Sequence, residues 1–390
     1  MTRTKNVSLW LAIEAPHHTV EELFLGFCQE IVRSGIPVWR ASLGLEVLHP
    51  EVSGWQHVWT NQSLSVQEAD RATAATSHSY LNSPTRLVDE TARPFRRRLE
   101  APCLDMPLLE ELRLDGATDY VMYPLPFLDQ TRTAVISFAT REAHGFDPAS
   151  IEELELAVKF LSPYLERLVL RRIAVDLLDT YVGPRTGQRI IEGRVDRGAV
   201  EMIEAAIWFA DLRGFTRLSE EAPIPEVLTH LNAWFGRIGE VVEAHGGEIL
   251  KFIGDAVLAI FPTSGTHDRM AACRKALAAA REFCQKTEAE NVLRQSSGSP
   301  PLAHGLALHV GEVAYGNIGA RHRLDFTVIG PAVNRASRLL DLAKQLDHPV
   351  LVSHAVAREV DQPLIDLGRY PLRDVEKPQR VYTFPRQGSV

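Results

Sequence analysis

Paired cysteines, long apolar runs and an excess of positive charge are all missing from this sequence. Its four cysteines, Cys28, Cys103, Cys273 and Cys284, are scattered, with no close pair to form a metal knuckle. Thiols so placed are expected to be reduced and packed, as in a cytoplasmic protein, rather than part of a disulfide framework. The apolar stretch behind the basic start Met1-Thr2-Arg3-Thr4-Lys5 stops at Glu14, too short for a signal peptide. No run approaches the roughly 20 apolar residues of a membrane helix, so a soluble chain with no membrane span is expected. The formal net charge of -8 supplies no basic face for non-specific nucleic-acid binding, and no nucleic-acid partner is expected.

What is present is enough chain for two domains, 390 residues with 45% hydrophobic and 24% charged, the balance of a globular protein. Residues 1–148 mix helix and strand. Val20 to Val32 has apolar residues at helical spacing, and Val38 to Leu48 and Trp55 to Trp59 read as strands around a Pro-containing turn. Asp119 to Phe127 and Arg132 to Phe138 alternate as strands on either side of the turn Leu128-Asp129-Gln130-Thr131. Helix, strands, hairpin and closing helix is the element order of GAF-like α+β sensor domains, an analogy of order with no motif behind it. Residues 149–192 read as a helical linker and hinge. Leu154, Val158, Leu161, Leu165 and Leu168 step by four and three, which fits either a dimerising coiled coil or one amphipathic helix packed on its own domain. Ser162-Pro163 interrupts that run and is a candidate for a fresh helix start. Residues 193–390 alternate as a ferredoxin-like βαββαβ core: strand Ala205 to Ala210, helical region Pro223 to Ala244, hairpin Glu248 to Ile253 and Ala256 to Phe261, helix Arg269 to Phe283, strand Leu302 to Val310. The polar segment Glu288 to Pro301 reads as a surface loop.

Three segments of this last part carry chemistry. Ala210-Asp211-Leu212-Arg213-Gly214-Phe215-Thr216 and Leu250-Lys251-Phe252-Ile253-Gly254-Asp255 each read as an apolar strand delivering one acidic residue into a glycine-containing turn. In a βαββαβ core the first strand lies antiparallel beside the third. Asp211 at the end of the first and Asp255 in the turn before the third should therefore converge. Two short carboxylate arms suit a pair of hard divalent cations on a triphosphate. The third segment is Val328-Ile329-Gly330-Pro331-Ala332-Val333-Asn334-Arg335-Ala336-Ser337-Arg338, in which Asn334 and Arg338 share a helix face. Together the three segments resemble the catalytic domain of the class III nucleotidyl cyclases, which make cyclic AMP or cyclic GMP, over about residues 195 to 385.

The resemblance implies roles residue by residue. Asp211, Asp255 and the Leu212 carbonyl would hold two Mg2+ or Mn2+ ions, and Gly214, Phe215 and Thr216 would cradle the β- and γ-phosphates. Lys251 would read the purine, together with the position seven residues before Asn334, which is Thr327 and not the nearby Asp325. Lys251 donating to a ring nitrogen and Thr327 accepting from the 6-amino group favour ATP, as in a bacterial adenylate cyclase subgroup with Thr at this place. Asn334 would orient the ribose and Arg338 would stabilise charge on the α-phosphorus. Arg373 and Lys377 both qualify as the late basic residue that meets the terminal phosphates. In the family the metal half and the base half of each site come from different subunits. A chain with one catalytic domain is then expected to form a head-to-tail homodimer with ATP as substrate and an unknown regulatory ligand or protein at the N-terminal domain. Guanylate cyclase, or a catalytically inactive cyclase-fold signalling module, are the alternatives.

Overall fold

The computed structural model describes residues 3–14, 19–47, 52–61, 63–71, 73, 76–100, 105–128, 134–263, 268–298 and 301–385. Cys103, the turn residues Asp129, Gln130 and Thr131 and the start of the strand expected at Arg132 lie outside these. Cys28, Cys273 and Cys284 are free thiols. Among the described residues no helix is long and apolar enough to cross a membrane. The chain divides into two compact units, Met1–Thr180 and Tyr181–Val390.

In order, the N-terminal unit holds α1 (Arg3–Glu14), α2 (Val20–Arg33), β1 (Arg40–Glu46), β2 (Val52–Thr60), β3 (Ser63–Asp70), α3 (His78–Leu81), α4 (Pro84–Thr91), β4 (Phe95–Arg98), α5 (Pro107–Leu114), β5 (Asp119–Pro124), β6 (Ala134–Thr140) and α6 (Pro148–Val182). The α2 start is fixed by a capping box, Thr19 accepting from the Glu22 N–H while Glu22 reaches back to the Thr19 N–H. One antiparallel sheet runs β3-β2-β1-β6-β5-β4. Leu11, Phe24 and Phe27 of α1 and α2, with Leu43, Ile136 and Phe138 of the sheet, form its main core. The leucine stripe of α6 belongs to that core: Leu154, Leu161 and Leu165 are fully buried there and Val158 nearly so. The stripe therefore packs on its own unit and is not a free coiled-coil surface. The helix also continues through Pro163 rather than restarting at Ser162.

The C-terminal unit opens with α7 (Pro184–Ile191) and continues β7 (Val200–Leu212), α8 (Phe215–Glu221), α9 (Ile224–Ala244), β8 (Glu248–Ile253), β9 (Ala256–Pro262), α10 (Arg269–Ser296), β10 (His304–Ala320), β11 (Arg323–Ile329), α11 (Pro331–Gln345), β12 (Val350–Ser353), α12 (His354–Ala357), β13 (Ile365–Tyr370) and β14 (Gln379–Thr383). Its sheet runs β13-β14-β12-β10-β7-β9-β8, with β11 paired to β10 alone. The stretch β10-β7-β9-β8 is the antiparallel ferredoxin-like order. Strand alternation sends Trp208, Ala210, Val257 and Phe261 to one face, where α9 and α10 cover them through Trp234, Ile238, Leu277 and Phe283. Ile207, Leu258, Ile260 and Tyr315 face the other side, toward Val328 of β11 and Ala332 and Ala336 of α11. The segment from Glu288 corrects the loop expected there: it is the last part of α10 as far as Ser296. Its polar residues are the solvent side of a helix, and Arg237 and Arg294 both pair with Glu290.

Candidate active site

The β7–β9 ladder decides where the two aspartates go. Ala210 lies opposite Val257, so Asp211 at the end of β7 arrives at the β8–β9 turn occupied by Gly254 and Asp255. Gly254 has φ 62°, the left-handed conformation that a tight two-residue hairpin asks of a glycine in its first place. Asp255 is tied down twice. Its Oδ2 accepts from the Leu212 N–H at 3.2 Å, and its backbone carbonyl accepts from the indole N–H of the fully buried Trp234 at 3.0 Å.

Asp211 is only 4% exposed. Its Oδ1 has no hydrogen-bond partner and lies over Gly305 on β10, where a Cβ would stand 2.6 Å from it. Its Oδ2 meets the ammonium of Lys344, from the last turn of α11. Burial raises the Asp211 carboxyl pKa above the ordinary aspartate value, the bond and charge of Lys344 oppose that rise, and Asp255 adds to it. Among the described residues no group of three or more His, Cys, Asp or Glu side chains converges. The donors here are two carboxylates and the Leu212 carbonyl, hard oxygens of the kind Mg2+ takes alongside substrate phosphates. An unpartnered buried carboxylate oxygen, with a cation already drawn to its twin, fits a site for a divalent ion.

Beyond Asp211 the chain turns through Gly214, at φ 77°, into α8, with the N–H groups of Phe215 and Thr216 in the helix's first turn. Phe215 is half-buried against the core under α9, and Thr216 is exposed. Arg213 does not face the turn. It donates to Asp347 at 2.8 Å and to the carbonyls of Ala343 and His348 at 2.9 and 2.5 Å, strapping the end of α11 to the loop after Asp211.

The other expected residues gather elsewhere in the unit. Lys251 on β8 donates to Asp325 on β11 at 2.6 Å, and this bond holds the Asp325 carboxyl below its usual range. Thr327 is buried on the same face of β11 as Asp325, two residues along. Lys251's ionic partner is therefore Asp325, two residues before Thr327 on β11. Asn334 is exposed in the first turn of α11, and Arg338 one turn later is half-buried. Arg338 pairs with Asp341 at 3.6 Å and Asp374 at 3.5 Å. Asp374 also pairs with Arg373 at 3.5 Å, which brings Arg373 toward Arg338, whereas Lys377 is simply exposed. Arg338 lies six residues before Lys344, about 9 Å along the helix. In this one chain Arg338 is thus engaged by Asp341 and Asp374, while Lys344 of the same helix engages Asp211. Lys344, Asp325 and Asp374 escaped the sequence reading because each is recruited across strands or helices far away in the chain. The only local signal was Asp325 standing two residues from Thr327.

Residues 199–382 match the adenylate and guanylate cyclase catalytic domain family. The chain is 31% identical over 187 residues to an adenylate cyclase of Anabaena cylindrica, covering 48% of this chain and 36% of that protein. It is 37% identical over 158 residues to adenylate cyclase 1 of Rhizobium meliloti, covering 40% and 23%. The match thus spans well under half the length of these relatives. The adenylyl cyclase CyaB from P. aeruginosa, a solved structure, superposes with a TM-score of 0.43 at 26% identity, covering 48% of this chain and 97% of that one. Residues 199–382 thus form a domain of the adenylate and guanylate cyclase catalytic domain family.

Proposed function

We propose that this chain is an adenylate cyclase, converting ATP to 3′,5′-cyclic AMP and pyrophosphate at sites shared between two copies. The observation that carries the reading is the meeting of Asp211 and Asp255 at the β7–β9 end, with Lys251 and Thr327 in the same unit. Asp211, Asp255 and the Leu212 carbonyl would hold two Mg2+ or Mn2+ ions. When bound, these would acidify the ribose 3′-hydroxyl and neutralise the triphosphate. The Phe215 and Thr216 N–H groups would receive the β- and γ-phosphates. Lys251 donates to a ring nitrogen of adenine and the Thr327 hydroxyl accepts from its 6-amino group. Asn334 orients the ribose. Arg338, freed from Asp374, stabilises charge on the α-phosphate as the 3′-oxygen forms its bond to phosphorus and the bond to pyrophosphate breaks.

In one copy Arg338 is held by Asp374 and Asp211 by Lys344, and each site would be completed by the partner of a head-to-tail homodimer. The N-terminal unit, a six-stranded antiparallel sheet with helices on both faces, would be a GAF-like regulatory domain for a ligand or protein. The test is turnover of ATP and of GTP with Mn2+ or Mg2+, products resolved by chromatography, for the wild type, for Asp211→Ala and Arg338→Ala alone, and for those two variants mixed. The expected outcome is cyclic AMP in preference to cyclic GMP, loss in each variant alone, and partial recovery on mixing. No cyclic nucleotide from the wild type with either substrate would overturn the reading. Preference for GTP would make the chain a guanylate cyclase.

A further inference from the structure

The lysine assigned to the purine is held from an unexpected direction. β8 pairs with β9 through a register shift between Ile249 and Lys251, with Glu248 opposite Ile260 and Lys251 opposite Leu258. Partners two apart on β9 share a face, so the shift turns Lys251 onto the face that carries Glu248. Three residues of regular strand would have sent it to the other side. That face is where β11 lies. Phe326, between Asp325 and Thr327, meets the Tyr315 ring edge-on at 4.7 Å, and the Tyr315 hydroxyl stands 3.1 Å from each oxygen of the buried Glu248. The strand bearing Lys251 and the strand bearing Asp325 are thus joined through the Glu248–Tyr315–Phe326 cluster, and then again by the Lys251–Asp325 bond at 2.6 Å.

The two charged side chains are 37% and 46% exposed. An ion pair so open adds little to stability. What the bond does is fix the place of the ammonium. A lysine stem has four rotatable carbons, and an ammonium fixed by one acceptor still has two N–H groups to offer. We propose that Asp325, nine residues before Asn334, is a positioning residue for base recognition: it holds the Lys251 ammonium where a purine ring nitrogen meets it, beside the second direct contact supplied by Thr327. This rests on the reading of Lys251 as the residue that meets the base.

The test is calorimetric binding of 3′-deoxy-ATP and 3′-deoxy-GTP, which cannot cyclise, beside steady-state kinetics, for Lys251→Gln, Asp325→Asn, Asp325→Glu, Thr327→Ala and the double variant Lys251→Gln/Asp325→Asn. Melting temperatures serve as the folding control. Asp325→Asn should weaken 3′-deoxy-ATP binding and raise KM by about fivefold or more, with kcat within about twofold and a smaller ATP-over-GTP ratio. Asp325→Glu should recover part of the loss. In the Lys251→Gln background the Asp325→Asn change should add nothing, because there is no ammonium left to place. Effects that multiply in the double variant, or an Asp325→Asn protein indistinguishable from wild type, would overturn the assignment of Asp325 while leaving Lys251 in its role. A Lys251→Gln protein with unchanged binding and ratio would instead remove the base-reading assignment itself. Absence of nucleotide binding by the wild type would remove the cyclase reading, and Asp325's role with both.

Discussion

Asp211 is a charge kept where burial opposes charge, with one oxygen against Gly305 and the other against Lys344. Burial raises its pKa and Lys344 works against that rise, which gives a pH prediction. A protonated Asp211 cannot hold a cation, so activity at limiting Mn2+ should fail on the acid side above the ordinary aspartate range near 3.9. Lys344→Met removes the group that favours the carboxylate, and the acid limb of kcat/KM should then move to higher pH. A limb that stayed put or moved down would separate Lys344 from Asp211's ionisation. At this scale the sequence was readable where an acidic residue followed an apolar strand into a glycine turn, as at Asp211 and Asp255. The counter-charges Lys344, Asp325 and Asp374 were not readable, since only the tertiary fold brings them to Asp211, Lys251 and Arg338.

Among the elements, β10 concentrates the unusual groups. It carries Gly305 beneath Asp211, and also His304 and His309, both buried and pushed down by that burial to about 4 from 6.5. His309 shares a hydrogen bond with Ser353 at 2.9 Å, and His304 sits against the Phe283 ring at 4.9 Å. Between pH about 4 and 6.5 the unfolded chain binds protons that the folded one refuses, so stability is full above 6.5 and is lost as pH falls through that window. Each histidine accounts for on the order of 3 kcal/mol of that loss. Denaturant titrations of the C-terminal unit at pH 7.5 and 4.5 should show the drop, and His309→Gln should shrink it. An undiminished drop in that variant would assign the acid sensitivity elsewhere. Helices with clear periodicity, such as α2 and α9, were legible in the sequence, and so was the β8–β9 hairpin. β3 was missed because its exposed face and polar residues give no alternation, and the end of α10 because a solvated helix reads as a loop. The α6 stripe was seen, but periodicity alone does not distinguish a partner's helix from the unit's own sheet.

For the molecule as a whole, α7 lies within the second compact unit, which begins at Tyr181. Thr186 is fully buried and its hydroxyl donates to Glu248 at 3.1 Å, while Arg189 stacks over Tyr315 at 4.8 Å. A fragment beginning at Gly193 leaves the buried Glu248 short of a partner, at about 1–3 kcal/mol. It should melt roughly 3–10 °C below a fragment beginning at Tyr181. Equal melting temperatures would make α7 a dispensable linker. Trp234 has a different consequence. Its indole, sealed in the core with its N–H on the Asp255 carbonyl, is a fluorophore wired to the very turn proposed to receive the cation. With the other five tryptophans of the chain replaced by phenylalanine, its emission becomes an optical record of that turn, legible before any nucleotide is added.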